Sequence, residues 1–240
     1  MLDIETYDLV SVFFILISII LSYVISFKAI KSYRENKIIQ TLIFGIASFF
    51  VANAQFFLVL EKTFLSVLDI DNIGIIFGLI ATILSAGGVL AIDAFAFKVV
   101  FPKKALILTV ISGIILLIYE GFWIFDPTRT LNAETTEIIF GDLFGIGYPF
   151  TPLLSYFTLM PLLVIPVLVF FYFARKIREE SPSRSEKSWV FGLALLCVSI
   201  AYITELLGID PLLTAGFRVL FPISGVLFYW ALFKMKEKEF

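Results

Sequence analysis

Long uninterrupted stretches of apolar residues dominate this chain, and shorter polar connections separate them. About 20 consecutive apolar residues are needed to cross the hydrocarbon core as a helix, and continuous rather than alternating apolar stretches favour helices over barrel strands. The pattern predicts seven transmembrane helices at residues 9–27, 39–60, 73–97, 105–125, 150–174, 188–207 and 212–233. The expected fold is an all-α, polytopic seven-helix bundle that forms one integral membrane domain over residues 1–240.

The charges in the connections are sorted by sign. With seven spans, 15 of the 18 Lys and Arg residues fall on one side of the membrane, and most acidic residues fall on the other. Because basic residues favour the cytoplasmic side, we expect the N-terminus outside and the C-terminus in the cytoplasm. The basic residues on the predicted cytoplasmic side are Lys28, Lys31, Arg34, Lys37, Lys98, Lys103, Lys104, Arg175, Lys176, Arg178, Arg184, Lys187, Lys234, Lys236 and Lys238.

The composition limits the chemistry. The chain is 60% apolar, contains no histidine and has a single cysteine, Cys197, inside an apolar span. The missing histidine excludes His-ligated haem, the usual His-bearing zinc sites and the Ser-His-Asp and Cys-His nucleophile systems. We therefore expect no enzymatic activity, no catalytic residues, no metal site and no cofactor.

The predicted layout resembles that of the microbial rhodopsins in topology. That family has a lysine in the middle of its last helix, whereas residues 221–226 here read Phe-Pro-Ile-Ser-Gly-Val and Lys234 lies at the edge. The span-3 carboxylate of that family would also lie near the centre, but Asp93 lies farther inward. Retinal is therefore not expected. The layout is also similar to prokaryotic seven-helix sensor modules that precede kinase domains.

A faint internal repeat relates spans 2 and 6. Arg34-Glu-Asn-Lys37 precedes span 2 and Arg184-Ser-Glu-Lys187 precedes span 6, and each is followed by a Phe-Gly pair, Phe44-Gly45 and Phe191-Gly192. The two spacings differ by three residues. A parallel 3+1+3 arrangement with span 4 as a linker would explain the repeat, as would chance and shared topology.

Small residues recur at four-residue intervals along span 3, a pattern that lets another helix approach closely. Two interpretations remain open: span 3 is central in the bundle, or the stripe is a face for homo-oligomerisation. The residues are Gly74, Gly78, Thr82 and Ala86.

Four charged residues lie within the predicted spans, where each costs about 2.5–3.5 kcal/mol on insertion scales. Asp93 is near the cytoplasmic end of span 3, and we interpret it as an inner anchor that reaches the interface or pairs with nearby lysines. Glu120, Glu205 and Arg218 all fall in the outer third. The connection between spans 6 and 7 is very short, so Glu205 and Arg218 are predicted to form a structural ion pair.

Further polar side chains accompany this outer layer: Asn53, Gln55, Tyr202 and Trp123. One hypothesis is a pocket for a small polar or anionic ligand, with Arg218 as its anchor. The alternative is a buried hydrogen-bonding network that ties the helices together.

The depth of these groups favours a receptor-like sensory or accessory protein that acts through a separate cytoplasmic partner. The alternative is a small-solute or ion-coupled transporter, whose site would lie near the midplane. The lipid bilayer is the expected environment, a prokaryotic cytoplasmic membrane the expected location, and nucleic acid is not an expected partner.

Overall fold

The computed structural model describes residues 6–64, 68, 70–125, 151–206 and 211–235, and the regular elements in these ranges are all helical. This confirms the all-α prediction. In chain order, the helices are α1 (Thr6–Asn36), α2 (Ile39–Lys62), α3 (Asp71–Val100), α4 (Ala105–Phe125), α5 (Thr151–Lys176), α6 (Pro182–Leu206), α7 (Pro211–Phe217) and α8 (Leu220–Phe233).

Most of these helices suit a membrane by length and composition. Within the described ranges, six segments are long and apolar enough to cross a membrane, and α4 contributes a shorter apolar stretch, Ala105–Gly121. Their outer faces stay apolar: Phe27 is 72% exposed and Leu106 is 78% exposed. Such surfaces fit contact with lipid, so the protein is a multi-pass helical membrane protein. The six segments are Val12–Asn36, Ile39–Glu61, Asn72–Val100, Thr158–Lys176, Pro182–Thr204 and Ala215–Phe233.

The helices close into a ring. Each helix contacts the next in the order α1, α2, α3, α5, α6 and α8, and α8 returns to α1. The α4 helix packs on the outside of this ring, against α3 and α5, while the short α7 contacts α1 and α6. We call α1–α3 the first half and α5–α8 the second half, so the halves meet where α1 contacts α8 and where α3 contacts α5.

The last predicted span was expected to be one helix, but the structure divides it into two, α7 and α8. The structure places Arg218 and Val219 in a turn between α7 and α8. Pro222 explains the break, because proline has no backbone N–H to donate to the carbonyl of residue 218. The Phe221 N–H donates to that carbonyl instead, at 3.1 Å, which forms a tighter turn. The break therefore lies just before the proline that the sequence puts in this span.

The small-residue stripe of α3 faces the interior of this chain. Gly74, Gly78 and Ala86 are buried, and the Thr82 hydroxyl donates to the Gly78 carbonyl at 2.9 Å. Ala86 belongs to an apolar cluster that includes Leu116 of α4 and residues of α5. The stripe thus takes part in packing within the chain, with α3 touching α2, α4 and α5, and its use as an oligomer face stays a prediction.

One end of the bundle contains a packed group of phenylalanine rings, which we call the aromatic cluster: Phe44, Phe95, Phe170, Phe191 and Phe228. Ring centroids of neighbouring members lie 5.0–5.8 Å apart, within the range of favourable ring contacts. We call this the basic end, because the short connections next to it, 37–38, 101–104 and 177–181, lie among the lysines and arginines of the chain. The cluster joins the two halves and fills the space between them at that end.

Candidate functional site

A cavity of about 40 Å³ lies inside the ring of helices, between the two halves. We call it the central cavity. Its walls come from α1, α2, α3, α6 and α8, and Phe44 and Phe228 of the aromatic cluster close it toward the basic end. A cavity of this size holds a few water molecules or one very small solute. Its polar lining consists of Ser18, Ser22, Ser48, Gln55 and Ser224.

The polar lining is made of neutral groups. The Ser48 hydroxyl donates to the Phe44 carbonyl at 3.0 Å, and the Ser224 hydroxyl donates to the Phe221 carbonyl at 2.6 Å. Each bond joins two residues of the same helix. Each hydroxyl oxygen keeps lone pairs that can accept a hydrogen bond from a molecule in the cavity. None of the described residues that line the cavity is charged.

Gln55 is the group in this lining that most needs a partner. Its side chain is buried, and neither Nε2 nor Oε1 has a hydrogen-bonding partner among the described residues. A buried amide left in this state costs about 1–3 kcal/mol, and native proteins contain few of them. Because Gln55 also lines the cavity, a molecule held there is a candidate partner for this amide. Gln55 is therefore the strongest candidate for a ligand-binding side chain.

Asn53, which the sequence grouped with Gln55, serves a different surface. The Tyr23 hydroxyl on α1 donates to Asn53 Oδ1 at 3.1 Å, and Asn53 Nδ2 donates to the Phe49 carbonyl at 2.7 Å. Two residues along a helix rotate a side chain to nearly the opposite face. The Asn53 amide therefore ties α2 to α1, away from the cavity.

Tyr202 lies next to the central cavity without lining it. Its ring makes an edge contact with Phe221, a cavity residue, with centroids 5.2 Å apart. Arg218 is half-buried at the break between α7 and α8. The side chains of Glu205 and Trp123 lie outside the part of the chain that the structure describes. The predicted Glu205–Arg218 ion pair and the place of Trp123 in a pocket therefore stay predictions.

Glu120 is buried on α4, the helix outside the ring. Neither carboxylate oxygen has a hydrogen-bonding partner among the described residues. It does not line the central cavity. The structure thus separates Glu120 from Gln55, whereas the sequence grouped both in one outer layer.

Asp93 differs most from its expected role. It is 0% exposed, and neither carboxylate oxygen is hydrogen-bonded within the described ranges. The Ser112 hydroxyl of α4 is the polar group beside the carboxylate. The carboxylate therefore reaches neither the interface nor the lysines that follow it, because the packing of α3 against α4 encloses it.

Three serines that line the cavity were not predicted as site residues from the sequence: Ser22, Ser48 and Ser224. Ser18 and Ser22 are four residues apart and so share one face of α1, which was a usable signal. The other two lie on separate helices, and only the packing of the ring brings them together.

Comparison with protein-family models, with curated proteins and with solved structures found no match to this chain. The functional argument therefore rests on the geometry described above.

Proposed function

We propose that this protein is a membrane transporter for a small, uncharged, polar solute, which it binds in the central cavity. In this proposal the chain crosses the membrane seven times, with the basic end in the cytoplasm and the N-terminus outside. The distribution of lysine and arginine supports this orientation. The single observation that carries the transport proposal is the position of the cavity, which lies near the middle of the bundle and between the two halves.

The proposal treats the halves as a parallel repeat with α4 as the linker. The ring order supports this, because the α1–α8 and α3–α5 contacts are equivalent if α1 matches α5, α2 matches α6 and α3 matches α8. When Phe44 is aligned with Phe191, identical residues recur on α2 and α6 in the same register. These pairs are Phe44 and Phe191, Gly45 and Gly192, Ala47 and Ala194, Val51 and Val198, and Ala54 and Ala201.

The matched residues also make matched contacts. Phe44 and Phe191 meet edge to face in the aromatic cluster, with centroids 5.7 Å apart. An added Cβ on Gly45 would approach Ala29 of α1, at 3.2 Å, and one on Gly192 would approach Phe171 of α5, at 2.6 Å. In each half, the glycine lets the second helix lie close to the first. Transporters built from such repeats place their substrate between the repeats and move one against the other.

The lining of the cavity limits the class of solute. Hydroxyl and amide groups can donate and accept hydrogen bonds, but they cannot balance a full charge. We therefore expect a neutral solute with its own hydroxyl or amide groups, such as a short polyol or a small amide. The cavity is too small for a sugar in the described conformation, so a larger solute would require the halves to separate.

Transport into proteoliposomes tests this proposal. Purified protein is reconstituted, and the uptake of a series of labelled neutral solutes, including glycerol and urea, is compared with that of protein-free vesicles. At least one solute should enter faster with the protein, and Gln55→Leu should remove the difference. Thr109→Val is the matched control, since Thr109 bonds only within α4, to the Ala105 carbonyl at 2.8 Å. Uptake that Gln55→Leu leaves unchanged would contradict the proposal.

A receptor-like sensory role is the second candidate, and Glu120 favours it. This buried carboxyl has no partner among the described residues and lies on α4 within about two turns of the connection to α5. In this candidate function, Glu120 contributes with Arg218, Glu205 and Tyr202 to an outer site for a small polar or anionic ligand, and a separate cytoplasmic protein receives the signal. Ligand binding that is lost in Glu120→Gln, without any solute uptake by the wild type, would favour this role.

A further inference from the structure

We propose that Asp93 is a proton-binding site, which carries a proton while it is enclosed and exchanges it when α3 moves against α4 and α5. A role of Asp93 in coupling proton movement to transport rests on the proposed transport function. Its role as a proton-binding site rests on the surroundings of the side chain alone.

An ionised carboxylate in an apolar interior costs several kcal/mol unless a counter-charge or hydrogen bonds accompany it. Asp93 is fully buried, and both of its oxygens are unpartnered in the described part of the chain. The Ser112 hydroxyl beside it is a neutral group and cannot balance a charge. A bound proton removes the charge and lets the carboxyl group donate to the serine oxygen.

The described charged and titratable side chains on the elements around Asp93 are not hydrogen-bonded to its carboxylate. Those of α2 and α5 lie near the helix ends, and those of α4 lie about two turns beyond Ser112, or roughly 10–12 Å along the helix. They are Lys98 on α3 itself, Glu61 on α2, Tyr119 and Glu120 on α4, and Tyr172, Arg175 and Lys176 on α5. The side chains of Lys62, Asp71 and Tyr156 lie outside the described part of the chain.

The oxygen atoms around this site suit a proton better than a metal cation. The carboxylate and the Ser112 hydroxyl together offer three oxygen atoms. Calcium takes six to eight oxygen ligands, and magnesium requires near-octahedral coordination. A proton needs only one carboxylate oxygen.

The position of Asp93 connects it to the movement of the halves. Its neighbour Ile92 lines both the central cavity and a smaller cavity of about 10 Å³ between α3, α5 and α6. Pro166 of α5 lines the smaller cavity and leaves the Leu162 carbonyl without its helical N–H partner. The α3–α5 contact therefore combines a small cavity with an interrupted helix, and a displacement there is the movement that would open a path to Asp93.

Infrared spectroscopy tests the proton site without any need for transport. A protonated carboxyl group has a carbonyl stretching band that carboxylates lack. At neutral pH, the wild-type protein should show such a band, it should shift when the protein is made with carbon-13-labelled aspartate, and it should disappear in Asp93→Asn. Glu120→Gln is the matched control, because it removes the other buried acid that has no partner in the described ranges. Ser112→Ala should shift the band without removing it.

Two results would overturn the inference: no band that responds to aspartate labelling, or a band that persists in folded Asp93→Asn. If Asp93→Asn does not fold, labelling and Ser112→Ala still decide the question in the wild-type background. In proteoliposomes, an inward proton gradient should speed solute uptake severalfold in the wild type and not in Asp93→Asn. If solute uptake by the wild type does not depend on the proton gradient, the coupling is refuted. If the wild type takes up no solute, the transport proposal is contradicted, and the infrared result still decides the proton site.

Discussion

In the proposed repeat, the two halves of the ring correspond helix by helix, but they differ in chemistry. The first half contributes four of the five polar residues that line the central cavity, and the second half contributes only Ser224. The second half instead contains the interruptions, Pro161 and Pro166 inside α5 and the break at Arg218–Val219. We infer that the first half provides the groups that bind and the second half provides the helices that deform.

The aromatic cluster and the central cavity have opposite effects on the stability of the fold. The cluster consists of buried, apolar rings in mutual contact, so it holds the two halves together through packing. The Gln55 amide beside the cavity has no partner among the described residues, which costs stability that the cluster offsets. Polar groups that are poorly satisfied by the fold itself are typical of sites that bind something else.

The largest expected effect comes from removing either ring at the centre of the cluster. Phe44→Ala and Phe191→Ala should each lower the free energy of unfolding by about 3–5 kcal/mol, because each leaves a cavity among packed rings. Unfolding by SDS in mixed micelles measures this, with the lipid-facing Leu106→Ala as a control that should change little. A large loss in only one of the two variants would break the equivalence of the halves.

A smaller effect is expected where the helices of the second half approach most closely. Gly192→Ala should lower the free energy of unfolding by about 1–3 kcal/mol, because its Cβ would overlap the Phe171 ring. Gly121→Ala is the matched control: no atom lies within 4 Å of its added Cβ, so alanine should stabilise α4 by about 0.5–1 kcal/mol. Equal effects in the two variants would show that Gly192 is not a contact point.

Stability and function should separate at Gln55. Gln55→Leu removes an unsatisfied amide, so the protein should be as stable as the wild type or more stable by about 1 kcal/mol. Solute uptake should be lost in the same variant. Unfolding in SDS and uptake into proteoliposomes, measured on one preparation, check both. A marked loss of stability would show instead that the amide is satisfied and structural.

The smallest effect is expected at the basic end, where α1 meets α8. The Lys28 ammonium donates to the Tyr229 hydroxyl and lies 4.5 Å from the centre of the Tyr229 ring. Tyr229→Phe removes the hydrogen bond but keeps the ring, so it should lower the unfolding midpoint less than Lys28→Met, which removes both contacts. The reverse order would show that the ring contact contributes nothing.

Features that depend on the periodicity of one segment could be predicted from the sequence. Features that depend on how separate helices pack together could not. Continuous apolar stretches indicated the helices, whereas the relation between α2 and α6 that the Phe-Gly pairs indicated stays a prediction. The end of α1 was placed too early, because Lys28 and Lys31 look like loop residues although helical structure continues to Asn36. Asn53 and Gln55 were assigned to one site because depth follows from the sequence, whereas the direction of a side chain depends on the neighbouring helices.

Cysteine accessibility tests the central claim, that the cavity can open to either side of the membrane. Cys197→Ala removes the single native thiol, and Ser224→Cys then places one in the cavity wall, with Ala194→Cys as a fully buried control outside the cavity. Membrane-impermeant thiol reagents are applied from either side of oriented proteoliposomes. We predict that Ser224→Cys reacts from both sides and that Ala194→Cys reacts from neither. Reaction of Ser224→Cys from the outside alone, or from neither side, would contradict transport through this cavity.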